Sequence, residues 1–413
     1  MSDRRPAIQL THVNADGDCV GLDERGRELW FRGAVPGDWV LPLGVPQRSQ
    51  RRRAFELWQP AAERRVAPCS VQRQCGGCGL MPLPPAAQRR EKLAMLARAL
   101  EARGITVPAI AWYGAESTSA YRNRVRLRTE RGELGFFNRD KSATCRVLEP
   151  SLLPLLELLL GLSHRRPQLF VDYSHAELRA PDRAGRPGLL LYPLCAGQKA
   201  ELSELASALP NWLLGVSGDP ALPWQTKSIT HDVYVHVPLD AFMQVNDSVN
   251  ARLVQWAVSS IVRSGARTLL DLYAGAGNFS LPLAHAGIAV SAVERHPTAV
   301  RALLVAAREQ RLSCDASADS ADAALARSVV AGRRFDAVLL DAPRAGLNFE
   351  PGPLLELGAR SVLLLSCYVP AFARDLGRLL SHGYVLEEMA AFDMFAETHH
   401  VESAALLRRN EKS

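Results

Sequence analysis

The 413 residues predict an α/β protein that ends in a mostly parallel, doubly wound sheet, preceded by a small OB-like β-barrel and a central α+β domain. Three observations carry this reading. Beyond Asn246, strand-like runs (RTLLDLY, IAVSAVE, FDAVLLD, RSVLLLS, YVLEEMAAF) alternate with helical stretches, which is the pattern of parallel strands joined by crossover helices. Before residue 66, short alternating runs (AIQLTHV, RELWFRGAV, DWVLPLGV) are separated by the turn signals Asp16-Gly17, Arg25-Gly26 and Pro36-Gly37-Asp38, as in a small barrel. Between Tyr121 and Leu239 the chain reads mainly as β, interrupted by helical patches at Leu152 to Leu162 and Ala200 to Leu209. Boundaries near 1–65, 66–240 and 241–413 follow.

In chain order, the barrel segment ends in a crowd of arginines, Arg48, Arg51, Arg52, Arg53, Arg64 and Arg65. Residues 1–150 hold 25 Lys and Arg against 16 Asp and Glu, so the basic half faces a polyanion if either half does. A cysteine-rich loop follows, then a helix from Gln88 to Arg103 closed by Gly104. Asn246 is a good N-cap for the helix DSVNARLVQWAVSSIV, with Val249, Leu253, Ala257 and Ile261 near one face. No apolar run approaches the roughly 20 residues a bilayer requires. The start MSDRRPAIQLTHV lacks a secretory leader pattern, so a cytoplasmic location is expected.

Four places carry chemistry. Asp271-Leu-Tyr273-Ala-Gly275-Ala-Gly277-Asn278 joins a strand to a helix, and Glu294 ends the next strand. Glycines let the backbone turn under a ligand and an acid at the second strand end suits a ribose diol. The dinucleotide spacing lacks its third Gly, which favours an S-adenosylmethionine site over an NAD site. Asp341 and Cys367 end two later strands, at the edge where open α/β sheets place ligands. Cys69, Cys75 and Cys78, in C-x5-C-x2-C spacing, together with the distant Cys145, form a metal framework in a reducing compartment. Three clustered thiolates and one remote one favour a 4Fe-4S cluster, with structural zinc the alternative. Cys19, Cys195 and Cys314 read as packing residues.

Taken together these stretches resemble the S-adenosylmethionine-dependent RNA (uracil-5-)-methyltransferases, in particular the branch with an N-terminal TRAM domain and an iron-sulfur loop. The resemblance spans nearly the whole chain: GAVPGDWV, CSVQRQCGGCGLMPLPPAAQRREK with Gln88 and Lys92, YRNRVRLR, FMQVN, DLYAGAGNFSLPLA, LDAPRAGL and DMFAETHHVESAALL, in order. It implies that Gln244, Tyr273, Asn278, Glu294 and Asp341 surround the methyl donor, with Asp322 near the adenine. It further implies that Cys367 is the nucleophile, Glu402 the general base, and Cys69, Cys75, Cys78 and Cys145 the cluster ligands.

Uracil C5 attacks a sulfonium too weakly on its own, so a thiolate adds at C6 first, and a base then removes the C5 proton. The uridine must be unstacked, which points to single-stranded or opened RNA, rRNA by the domain layout and tRNA as the alternative. A monomer is expected. The chain departs from the family after Cys367, where SCNPxTxARDL becomes Ser366-Cys367-Tyr368-Val369-Pro370-Ala371-Phe372-Ala373-Arg374-Asp375-Leu376, and where Phe395 is followed by Ala396. Those changes keep open a non-catalytic RNA-binding protein that retains the cofactor site.

Overall fold

A computed structural model describes residues 6–43, 52–106, 109–115, 117–136, 145–195 and 202–410. Arg48 and Arg51 of the arginine-rich stretch, and Ala200 of the expected helix, lie outside these. The first five strands, β1 (Ile8–Val13), β2 (Asp18–Leu22), β3 (Glu28–Arg32), β4 (Trp39–Pro42) and β5 (Phe55–Gln59), form an antiparallel sheet ordered β3-β2-β1-β4-β5. It curls until its two edges meet, with Phe31 of β3 and Phe55 of β5 edge to face at 5.8 Å. Buried Asp38 accepts from the Val35 amide (2.9 Å), the Ala61 amide (3.0 Å) and Arg64 (2.5 Å), which ties the PGD turn to the chain leaving the sheet.

The cysteine loop contains the short helix α1 (Gln72–Cys75) and leads into α2 (Pro85–Glu101), which starts on a proline as helices often do. Strand β6 (Ala111–Tyr113) follows. A second sheet, ordered β11-β10-β9-β7-β8, consists of β7 (Arg124–Glu130), β8 (Glu133–Gly135), β9 (Tyr173–Arg179), β10 (Gly188–Pro193) and β11 (Leu213–Val216). Val125, Leu127, Ala176, Leu178, Leu189 and Leu191 share one face of it and pack on Leu152, Leu156 and Leu159 of α3 (Leu152–Arg165). A hairpin of β12 (Trp224–Ser228) and β13 (Tyr234–Pro238) then leads to α5 (Asp247–Arg263), after the short α4 (Ser203–Ala208) earlier in the segment. Asn246 caps α5 as expected, its side chain accepting from the Val249 amide at 3.3 Å.

The third sheet has eight strands ordered β16-β15-β14-β17-β18-β20-β19-β6. Strands β14 (Thr268–Leu272), β15 (Ala289–Glu294), β16 (Cys314–Ala318), β17 (Ala337–Asp341) and β18 (Ser361–Ser366) are parallel. They are joined through α6 (Ser280–His285), α7 (Pro297–Glu309), α8 (Ala321–Val330) and α9 (Gly352–Glu356), and α10 (Val369–Ser381) follows β18. The order reverses between β14 and β17, which creates a crevice at their carboxyl ends. Strand β20 (Glu402–Arg409) runs antiparallel to both β18 and β19 (Tyr384–Phe392), and β6 joins the far edge beside β19. β20 is therefore the one strand of the eight that runs against the others, and the sheet is mostly parallel, as expected. Met95, Leu96 and Leu100 of α2 belong to the same buried cluster as Val338, Leu340, Leu364 and Leu376, and so pack with this sheet. Among the described residues, no helix is long and apolar enough to cross a membrane.

Candidate active site

Because β20 is antiparallel, its first residue, Glu402, lies at the edge where β17 and β18 end. Ser366 pairs with Ser403, and Asp341 with Leu365, so Asp341, Cys367 and Glu402 converge at one rim from three adjacent strands. Glu402 is buried, and both burial and the neighbouring Asp341 hold its carboxyl well above the usual range. Burial likewise pushes Asp341 up to about 7. Burial, then Glu402 and Asp341, push the Cys367 thiol up to about 12, while Arg344 pulls the other way. Two carboxyl groups crowded together favour holding a proton, and the free site keeps its thiol protonated.

Beside this rim, at the β14/β17 crevice, lies a pocket of about 600 Å³ whose lining includes Gln244, Tyr273, Asn278 and Asp341. Tyr273 (φ +68°), Gly275 (φ +56°) and Gly277 (φ +95°) turn the chain sharply after β14. A Cβ on Gly277 would meet Leu281 and Leu303 at 3.1 Å, so glycine is needed there for packing as well as for its φ. Asp271 is fully buried beneath the loop, where it accepts from the Ser280 hydroxyl and desolvation pushes it up to about 7.

The remaining expected cofactor residues take different places. Glu294 braces the loop, accepting from the Gly275 amide (3.0 Å) and the His296 amide (2.8 Å). Asp322 lines no part of the pocket; it accepts from Asn348 (3.0 Å), whose Oδ1 in turn accepts from the Tyr273 hydroxyl (2.6 Å). Asn278 exchanges two hydrogen bonds with Asn250 (2.8 and 3.0 Å). Sequence reasoning missed Asn250 and Asn348, since a single Asn on a helix or in a loop carries no pattern.

The segment between β19 and β20 is clamped from below. Lys92 of α2, wholly buried, donates to Asp393 (2.5 Å) and to the Phe395 carbonyl (3.1 Å). Gln88 donates to Glu397 (2.8 Å) and accepts from the Glu397 amide (3.1 Å), and the Tyr121 hydroxyl donates to the Ala396 carbonyl (2.9 Å). Glu397 is held at φ +66°. Next come His399 and His400, ring centroids 3.9 Å apart, which burial pushes down to about 4 and 3. Both imidazoles are neutral at physiological pH. A Cβ on Gly17 would fall 2.2 Å from His399 Nδ1, so the β1–β2 turn rests against this segment.

Lys92→Met leaves the Asp393 carboxylate buried and unpaired. Urea unfolding should show a loss of about 3–5 kcal/mol. A loss below about 1 kcal/mol would mean that the clamp does not hold the segment.

Cys69, Cys75, Cys78 and Cys145 line a single pocket of about 420 Å³ with Val71, Met81, Phe136 and Val147. Burial, Cys145, Cys75, Glu397 and Cys69, in that order, push Cys78 up to about 12. Among the described residues no three His, Cys, Asp or Glu side chains converge as a single metal ion requires. Of the cysteines read as packing residues, Cys19 is buried and Cys314 partly so, but Cys195, two residues past β10, is exposed.

Residues 228–410 match the family described as tRNA (Uracil-5-)-methyltransferase. The chain is 32% identical to the 23S rRNA (uracil(1939)-C(5))-methyltransferase RlmD of Halomonas elongata, over all of this chain and 91% of that one. It is 33% identical to the protein of the same name from Pseudomonas putida, over 98% of this chain and 93% of that one. Its fold matches the Pyrococcus abyssi tRNA (uracil-54, C5)-methyltransferase, crystallised with S-adenosyl-L-homocysteine, at a TM-score of 0.75 and 19% identity, over 97% of this chain and all of that one.

Proposed function

Given a chain that belongs to the RNA (uracil-5-)-methyltransferase family, we propose that it forms 5-methyluridine in 23S rRNA. The single observation that carries the chemistry is the convergence of Cys367, Glu402 and Asp341 at the rim of the 600 Å³ pocket. The relatives named for 23S rRNA are 32% and 33% identical over nearly the whole chain, whereas the tRNA enzyme of like fold is 19% identical, which favours rRNA over tRNA.

The pocket suits S-adenosylmethionine in its donor set: amides from Gln244 and Asn278, the Tyr273 loop and the Asp341 carboxyl. That donor, when bound, supplies an electrophilic methyl group. Cys367 Sγ gives its proton to solvent and forms a bond to uracil C6, which moves the C5–C6 electron pair towards C5 and O4. C5 then bonds the methyl carbon as that carbon's bond to sulfur breaks, and S-adenosylhomocysteine is the leaving group. Glu402 takes the C5 proton, the C5–C6 double bond re-forms, and the thiolate leaves. Glu294, Asn250, Asn348 and Asp322 position the loops around the donor.

S-adenosylhomocysteine should raise the melting temperature, by binding the folded state alone, and NAD should not. A shift with NAD alone would replace this reading with that of an oxidoreductase.

The four thiols lining one pocket fit a 4Fe-4S cluster, whose irons each take one cysteine, better than a single zinc, which needs its ligands to converge on one point. Cys69, Cys75, Cys78 and Cys145 would hold it. Their loop packs with Tyr121, Val147 and Ala396, so the cluster would brace the segment that leads to Glu402. Protein purified without air should be brown and contain about four iron and four sulfide per chain. Colourless protein with one zinc would contradict the assignment.

A further inference from the structure

The second sheet has an inner face, packed on α3, and an outer one. Residues of β7, β9 and β10 that alternate with the core positions Val125, Leu127, Ala176, Leu178, Leu189 and Leu191 must point to the outer side. They are Arg124, Arg126 and Arg128 on β7, His175, Glu177 and Arg179 on β9, and Leu190 and Tyr192 on β10. Half of this face is closed. Leu190 packs on Leu222 and Leu239, and buried Arg179 donates to the Ala241 carbonyl at 3.0 Å. The other half is open. There the register sets Tyr192, His175 and Arg128 side by side across three strands.

The chemistry of that open row is specific. The Tyr192 and His175 rings are stacked, with centroids 3.9 Å apart and planes within 14°. The Arg126 guanidinium lies 5.1 Å over Tyr192, and half of that side chain is exposed. Burial and the Arg126 charge lower the His175 pKa, which leaves its ring neutral. Among the described residues, the carboxylates that four arginines of this face meet are those of Glu177 and Glu130. Between the row and the pocket, the mostly covered Arg124, opposite Arg179, lies 5.4 Å from the ring of Phe242, which is 61% exposed and lines the pocket wall.

Arginines beside half-exposed rings are what an unpaired polynucleotide needs, since every base has a face to stack and every nucleotide a phosphate to neutralise. We propose that the open half of this sheet is a platform for a single-stranded segment of the RNA substrate, with a base stacked at Tyr192 and His175 and its flanking phosphates held by Arg126 and Arg128. The proposal rests on the methyltransferase reading above and extends it. Nucleotides next to the target uridine would run from the pocket along Phe242 and Arg124 to this platform.

Methylation kinetics on unmodified 23S rRNA transcript test it, with the doubly substituted variants Y192A/H175A and Y192F/H175F. Removing both rings should raise KM for RNA roughly 10-fold, whereas the variant that keeps both rings should stay within about twofold of the parent. The melting shift with S-adenosylhomocysteine checks that each variant is folded. An unchanged KM in Y192A/H175A, or equal rises in both variants, would overturn the platform. Cross-linking of 4-thiouridine-substituted RNA to the unaltered protein gives an independent reading: adducts on the peptide spanning residues 173–193 support the platform, and their absence contradicts it. If the unaltered protein transfers no methyl group to any RNA, the methyltransferase reading fails, and the cross-link alone decides the platform.

Discussion

Cys367→Ala is expected to abolish methyl transfer, with a fall in rate on the order of 10⁴-fold or more, as removal of a covalent nucleophile does elsewhere. Without the thiolate, C5 of uracil has no route to becoming a nucleophile, so the loss should appear in turnover and not in donor binding. Structure should suffer little. Cys367 is only partly buried, one residue past β18, and its backbone is fixed by neighbours that the substitution leaves in place: the Tyr368 amide donates to Ser366 Oγ at 3.2 Å and α10 starts at Val369. Melting temperature, with and without S-adenosylhomocysteine, should match the parent within a few degrees. Retained methyl transfer by a folded Cys367→Ala protein would remove this residue from the mechanism.

Glu402→Gln is expected to separate the two halves of the reaction. Glu402 stands next to Cys367 and is one of the groups that hold its thiol protonated, so replacing the carboxyl with a neutral amide should ease thiolate formation. Addition at C6 and methyl transfer should therefore proceed, while loss of the C5 proton stalls, because an amide does not accept it. The expected result is a methylated protein–RNA adduct that survives denaturing electrophoresis and a steady-state rate lowered by about 10²–10⁴-fold. Quantitative release of methylated RNA from this variant would assign the base role to another group, with Asp341 the neighbour to test next.

Much of the fold is legible in the sequence because it depends on local signals. The Asn246 cap, the body of α2, expected from Gln88 and found from Pro85, and the strands β14, β15, β17 and β18 each follow from residue types within a single turn or strand, whereas β16 (CDASA) carries no apolar run to announce it. What escapes is decided by partners far along the chain. Ala111-Trp112-Tyr113 is too short to show a period, yet it pairs with Ala390, Ala391 and Phe392 as the eighth strand of the main sheet. The direction of β20 is equally silent in ESAALLRR, since a fully buried strand reads the same either way. That direction places Glu402 opposite Cys367.

The same holds at the candidate site. Cys367, Glu402, Asp341 and the cysteine set stand out through residue type and a family resemblance. Their supports are polar side chains whose meaning lies in distant partners: Lys92 with Asp393, Gln88 with Glu397, Tyr273 with Asn348, Asn278 with Asn250. Cys195 shows the opposite failure. Its residue type suggests packing, but it follows the last strand residue of β10 into an exposed turn.

The central claim is that this chain substitutes C5 of uracil in RNA through an adduct at Cys367. Release of tritium from 23S rRNA transcript labelled at uracil C5, with protein purified without air, tests it most directly. Release should require S-adenosylmethionine, match methyl incorporation one for one, and be absent with Cys367→Ala. Methyl incorporation without tritium release would place the methyl group elsewhere on the RNA and contradict the mechanism derived from Cys367 and Glu402.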